Sequence, residues 1–253
     1  MNTDLKILIS NDDGVYSEGI NALYKEIKSK FQNVVVVAPD RNQSAASHSL
    51  TLANPLRIQQ LHTSDFYSVN GTPSDSVYLA VNSLLDDKPD IVISGINEGP
   101  NLGDDVMYSG TVAAAVEGRH LKLPAIAVSL VGKEHYSTAV FFVMKILKQI
   151  EECPIPKDHI LNINVPDLPL EQIKGIKVTR LGKRESPTSV IKSKDPRGKE
   201  ICWIGPQGVA IDTADDTDFW AVDNGYVSVT PIHIELTSFN VISDLNNWFK
   251  CNV

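Results

Sequence analysis

Residues Ile7–Gly14 read ILISNDDG, an apolar run that ends directly in two adjacent carboxylates and a glycine. A buried parallel strand is near-continuously apolar, and Ile7, Leu8 and Ile9 fit that pattern. Asp12 and Asp13 follow at its carboxyl end, where open α/β sheets place their ligand sites. Neighbouring Asp residues repel, and in a regular strand they would point to opposite faces. Both can face one site only if the strand has already turned, and Gly14 permits that turn. The pair calls for a positive partner.

Working outward, Glu18–Lys30 carries Ile20, Leu23, Tyr24 and Ile27 at the spacing of an amphipathic helix. Val34–Ala38 (VVVVA) is a second buried strand, and a strand–helix–strand unit of this length implies a right-handed parallel crossover. The polar loop Pro39–Ser49 then lies beside the end of the first strand. Leu56–Leu61 and Phe66–Val69 read as edge strands. Thr72-Pro73-Ser74 opens a helix, with Thr72 as N-cap and Pro73 in the first helical position. Ile91–Ile96 (IVISGI) is a buried strand ending in Asn97, and a glycine-rich loop leads from it to a helix over Val112–His120. Ala125–Leu130 is the next strand and Tyr136–Ile150 the longest helical pattern; Leu161–Val165 and Ile176–Leu181 read as later strands. This alternation predicts an α/β fold, a three-layer sandwich around a mostly parallel sheet.

The pattern breaks near Lys183, so residues 1–182 are expected to form the α/β core and 183–253 a carboxyl-terminal arm of the same domain. Within the arm, Ser189–Lys194 and Glu200–Ile204 flank Asp195-Pro196-Arg197-Gly198, with Pro and Gly placed as in a type I turn. A protruding hairpin bearing Ile201, Trp203 and Ile204 is hard to stabilise alone, which predicts packing on another subunit. Tyr226–Ile234 reads as a late strand and Ile242–Phe249 as a terminal helix.

Composition narrows the function. The 253 residues are 42% apolar and 21% charged, as expected for a globular chain. A net charge of −8 argues against a nucleic-acid polymer as partner, since phosphate backbones demand a basic footprint. A small phosphorylated substrate remains open, because a bound cation reverses the local sign. Cys153, Cys202 and Cys251 are isolated and odd in number, the usage of reduced thiols in a cytoplasmic protein. No signal peptide is read at the amino terminus, and no apolar run approaches the ~20 residues of a membrane span.

Three strand ends converge on one region: Asp12-Asp13, the loop around Ser44, and Asn97. These residues offer oxygen donors without His or Cys, a set suited to Mg²⁺ or Mn²⁺ rather than zinc or copper. Beside them, Ser109-Gly110-Thr111 stands at a predicted helix N-terminus, where free N–H groups and the helix dipole favour an anion such as phosphate. Each feature has a plainer reading. Asp-Asp pairs are ordinarily solvated turns, and Asp86-Asp87 and Asp215-Asp216 are read so. Asp104-Asp105 either order their loop or are simply solvated. Asn97 could cap a strand end and Ser109-Gly110-Thr111 a helix; Ser44 by itself cannot be told from Ser47 or Ser49. His48, His120 and His135 are scattered, and none is assigned as general base.

The segments NDDGV, APDRNQSAASHSLTL, GTPSDSVYLAVN, SGINEGPNLGDDVMYSGTVAAAVEGRH and GYVSVTPIH together resemble the SurE family. The resemblance spans nearly the whole chain. It implies a Rossmann-like fold and a 5′/3′-nucleotidase that depends on one divalent cation per subunit (Mg²⁺ or Mn²⁺), a family also described as acting on short polyphosphate. It selects Asp12, Asp13, Ser44 and Asn97 as metal ligands and Ser109, Gly110 and Thr111 as the phosphoryl cradle. It also implies exchange of the carboxyl-terminal hairpin and tail between subunits, in a homodimer or homotetramer. Metal-activated water is the expected nucleophile, with Asp12 and Asp13 as the catalytic carboxylates; direct attack by an Asp is the alternative. A competing class is a non-catalytic phosphoacceptor or nucleotide sensor; an acidic pair after the first strand also occurs in response-regulator receivers, which are about half this length and need a further Asp and Lys. An oligomeric scaffold built on the hairpin alone is the third.

Overall fold

The computed structural model describes residues 2–62, 64–185, 190–205 and 207–252. Strand β1 (Ile7–Ser10) is buried along its whole length. It pairs in parallel with β2 (Val34–Pro39) on one side and β5 (Ile91–Glu98) on the other. Beyond β2 lie β4 (Phe66–Val69), parallel to it, and at the edge the antiparallel β3 (Ile58–Gln60). Beyond β5 come β6 (Ala125–Val131) and β7 (Ile160–Pro166), both parallel. The late strand β13 (Val227–Ile232) runs antiparallel against β7, with β8 (Ile176–Val178) parallel to it at the far edge. The sheet is nine-stranded in the order β3-β4-β2-β1-β5-β6-β7-β13-β8, mostly parallel as the alternation predicted.

The strand period of two divides the core between two layers of helices. Ile7, Ile9, Ile91 and Ile93 face one side with α1 (Glu18–Lys28) and α4 (Tyr136–Leu147). Leu8 and Val92 face the other side with α2 (Pro73–Leu79) and α3 (Gly110–Glu117). Leu8, Ile9 and Ile93 are completely excluded from water, and each such side chain contributes about 1.5–3 kcal/mol of burial. The start of α2 follows the sequence signal: Thr72 Oγ1 accepts from the Asp75 N–H (3.1 Å), the Asp75 carboxylate accepts from the Thr72 N–H (2.8 Å), and Pro73 opens the helix.

Several boundaries differ from the sequence reading. β5 continues through Asn97 to Glu98 rather than stopping at Ile96, with a register shift against β6 between Ser94 and Asn97. α4 ends at Leu147, and residues 150–152 form a separate short turn. β8 stops at Val178, because the Arg180 N–H turns to the Asp216 carbonyl (3.0 Å). The carboxyl-terminal stretch holds two elements the periodicity did not show. One is a small sheet of β9 (Lys183–Arg184) and β12 (Ala210–Asp212); the other is α5 (Asp218–Asp223).

The hairpin is present as β10 (Val190–Lys194) and β11 (Glu200–Ile204); Ser189, where the sequence starts it, lies outside the described residues. Its turn is closed by the Gly198 N–H on the Asp195 carbonyl (2.9 Å). Val190, Trp203 and Ile204 are exposed by 62, 61 and 93%, and the apolar residues of α6 (Phe239–Asn252) are exposed as well. Among the described residues, no helix is long and apolar enough to cross a membrane.

Candidate active site

The carboxylates are aimed by a turn that Asn11 builds. Its side chain donates to the Gly14 carbonyl (3.0 Å) and to Ser17 Oγ (2.8 Å), and accepts from the Gly14 N–H (3.2 Å). Gly14 has φ +97°, and a Cβ there would stand 3.0 Å from the Arg41 backbone, so glycine is needed both for the conformation and for the approach of the β2 loop. That approach is clamped by backbone bonds, Val15 N–H to Pro39 O (2.9 Å) and Gln43 N–H to Asp12 O (2.7 Å).

Asp12 is 4% exposed. Its Oδ1 accepts from the Thr111 hydroxyl (2.5 Å), which ties it to the first turn of α3. Burial pushes its pKa up, against the lowering effect of that hydroxyl and the nearby Thr111 and Asp12 amides. Asp13 is half-buried, and its Oδ2 accepts from the Glu98 N–H at the end of β5 (3.1 Å). Burial raises its pKa to about 6; the Glu98 amide opposes this, and the charges of Asp12 and Glu98 add to it. Among the described residues, no Lys or Arg forms an ion pair with either carboxylate. Two desolvated acids side by side without a counter-charge fit a hard divalent cation with oxygen ligands.

Ser44 and Asn97 are attached to this pair through neighbours. Ser44 follows Gln43, whose N–H holds Asp12, but Ser44 itself is exposed and its hydroxyl donates to Asn42 Oδ1 (2.6 Å). Asn97 precedes Glu98, which holds Asp13; its Nδ2 donates to the Gly99 carbonyl (2.9 Å), leaving Oδ1 for a cation. Ser109 is the N-cap of α3, its Oγ accepting from the Val112 N–H (3.0 Å). The plain capping reading therefore holds for Ser109, and its O–H is still available to donate. Gly110 lets the helix meet the acid: a Cβ on it would fall 2.7 Å from Asp12 Cβ and 2.9 Å from Oδ2.

Sequence reasoning did not anticipate Thr111 as the partner of Asp12, nor Glu98 as the holder of Asp13; both contacts join segments distant in sequence. It also missed Asn42, Lys133 and Tyr136, which with Ser17, Glu18 and Glu98 line a cleft of about 270 Å³ beside Asp13. A larger groove of about 890 Å³ between α1 and α4 contains none of the predicted residues, so chemistry rather than size selects the site. Asp104 and Asp105 order their loop: Arg184 donates its N–H to Asp104 (3.3 Å) and its Nε–H to Asp105 (2.7 Å).

Fold and site together define a doubly wound α/β protein with an acidic, oxygen-donor centre at the carboxyl ends of its strands, facing a helix N-terminus. The sequence profile described as "Survival protein SurE" matches residues 7–188. A 5′-nucleotidase SurE of Aeromonas hydrophila is 55% identical over 249 residues, covering 96% of this chain and 98% of that protein. A 5′/3′-nucleotidase SurE of Citrobacter koseri is 55% identical over 244 residues, covering 96% of each. The crystal structure of the SurE protein from Aquifex aeolicus matches with a TM-score of 0.83 at 48% identity, covering 96% of this chain and 99% of that one. The chain belongs to the SurE family.

Proposed function

We propose that this chain hydrolyses nucleoside monophosphates to nucleoside and phosphate and depends on one divalent cation, Mg²⁺ or Mn²⁺, per subunit. The observation that carries the reading is the uncompensated pair Asp12–Asp13 packed against the N-terminus of α3. The nucleotidase names of relatives that match nearly the full chain support it. Asp12, Asp13, Ser44 and Asn97 would hold the cation, which when bound stabilises phosphoryl charge as a Lewis acid and acidifies water.

The chain's own groups do the rest. The Thr111 hydroxyl and the Glu98 amide fix the two carboxylates. The Ser109 O–H and the first-turn N–H groups of α3 face an incoming phosphoryl group and stabilise charge on its oxygens. The cleft beside Asp13 leaves room for the nucleoside, with Lys133 and Tyr136 on its wall. Short polyphosphate offers the same terminal phosphoryl group to the same donors.

Phosphate release from AMP, followed colorimetrically, should vanish in EDTA and return on adding Mn²⁺ or Mg²⁺. Turnover that persists without metal would refute the reading. The free thiols of Cys153 and Cys202 support a cytoplasmic setting.

Residues 183–253 we assign as the part through which copies associate, as a homodimer or homotetramer. The exposed apolar side chains of β10–β11 and α6 support this, since bare faces of that kind mark interaction surfaces. Deleting residues 190–204 should lower the mass measured in sedimentation while leaving the sheet intact; an unchanged mass would remove the hairpin from that role.

A further inference from the structure

We propose that Asp158, His159 and His233 form a second metal site, suited to a transition cation of the Zn²⁺ type, on the edge of the sheet opposite Asp12 and Asp13. The topology fixes that placement. β7 runs parallel to the strands between it and β1, so the residues just before Ile160 lie at the amino edge of the sheet. β13 is antiparallel to β7, so the residue just after Ile232 lies at the same edge. Asp12 and Asp13 follow the carboxyl end of β1 and are therefore remote from it.

Register then brings the imidazoles together. Ile232 pairs with Ile160, which makes His233 and His159 the next rung of the ladder. Their rings stack with centroids 4.5 Å apart and planes 18° from parallel. Asp158 Oδ1 accepts from His159 Nδ1 at 3.0 Å, about the spacing of adjacent ligands on a cation with bonds near 2.0–2.1 Å. To ligate there, the neutral His159 ring presents its Nδ1 lone pair to the metal and carries its single proton at Nε2.

All three side chains offer donor atoms within 4.8 Å of one another. His159 is half-buried and serves as the anchor. Stacked rings cannot both direct an in-plane lone pair at one cation, so His233, which is exposed, turns out of the stack to ligate, and the exposed Asp158 carboxylate adjusts with it. Water fills the open positions. Two imidazoles and one carboxylate favour Zn²⁺, Ni²⁺ or Cu²⁺ over Mg²⁺, the reverse of the preference at Asp12–Asp13. The site also has a mechanical effect. His233 is the first residue after β13 on the segment leading to α6, so a bound cation ties the base of that segment to the start of β7.

The test is metal binding by the full chain, stripped with EDTA, dialysed and held in excess Mg²⁺ to occupy the catalytic centre. Isothermal titration with Zn²⁺ should give one site per chain, with the imidazole signals of His159 and His233 shifting in ¹⁵N-histidine spectra. His233→Ala and Asp158→Asn, both at exposed positions, should weaken Zn²⁺ binding at least tenfold, with Asp12→Asn leaving it unchanged. Circular dichroism would establish that each variant is folded. Equal Zn²⁺ affinity in the His233→Ala variant would overturn the proposal, as would loss of binding in Asp12→Asn. Because the readout is binding rather than turnover, the result is independent of the nucleotidase reading.

Discussion

Asp12→Asn lowers turnover of a nucleoside monophosphate by about a thousandfold or more and leaves the fold unchanged. The substitution is isosteric: the new amide oxygen can still accept the Thr111 hydroxyl that Asp12 Oδ1 holds at 2.5 Å. What disappears is the charge proposed to retain the cation, and ~10³ in rate corresponds to about 4 kcal/mol, within the several kcal/mol a metal supplies to a phosphoryl transition state. Steady-state kinetics in metal-limited buffer checks this; near-normal activity there would show that the site is elsewhere.

The companion variant Asp13→Asn carries a stability signature in the metal-free protein. An acid whose folded pKa lies above its unfolded value, here about 6 against 3.8, prefers to be protonated in the fold. Its ionised form therefore costs stability above about pH 6, and the cost is relieved as pH falls from there toward 4. With EDTA present, Asp13→Asn should raise the thermal midpoint by a few degrees at pH 8, with the gain shrinking by pH 5. A midpoint difference that is flat with pH would contradict the assigned cause.

Gly110→Ala should also lower turnover, although it changes no charge. The added methyl would lie 2.7 Å from Asp12 Cβ and 3.1 Å from Pro73 Cγ. Neither neighbour can step aside, because Asp12 is 4% exposed and Pro73 is buried at the start of α2. Either α3 backs away or the carboxylate turns. A displacement of about 1 Å at a reacting centre costs on the order of 10²-fold in rate, and overpacking costs about 1–3 kcal/mol of stability. The measurements are kcat, the cation concentration for half-maximal rate, and the thermal midpoint. Wild-type values for all three would mean that the contact between α3 and Asp12 is not part of the centre.

The strands and helices nearest the centre were legible because their cores alternate cleanly. Ile7, Leu8 and Ile9, the stripe of α1 and the Thr72–Pro73 opening of α2 all state their roles locally. α5 was not legible, since six residues are too few to display a helical period. β9 and β12 were missed for the same reason, and β5 runs past its apolar stretch because Asn97 and Glu98 still pair with β6. At the site, the Asp pair and its turn could be read from residue types alone. Ser44 could not, because nothing local distinguishes it from Ser47, and only the family resemblance selects it. The Thr111–Asp12 bond spans 99 positions in sequence and exists only once α3 has docked on the sheet.

Strand order also sets a schedule for synthesis. The seven residues assigned to the cation and the phosphoryl group lie between 12 and 111, and their strands can pair as they leave the ribosome, amino-terminal portion first. β13 cannot join until residue 232 has been made, and only then can β8, which pairs with β13, add at the far edge. The apolar faces of α6 emerge later still. The nascent chain can thus complete the strands leading to Asp12, Asp13 and Asn97 while the exposed apolar faces of β10, β11 and α6 are still untranslated, so premature clustering on the polysome has little to grip.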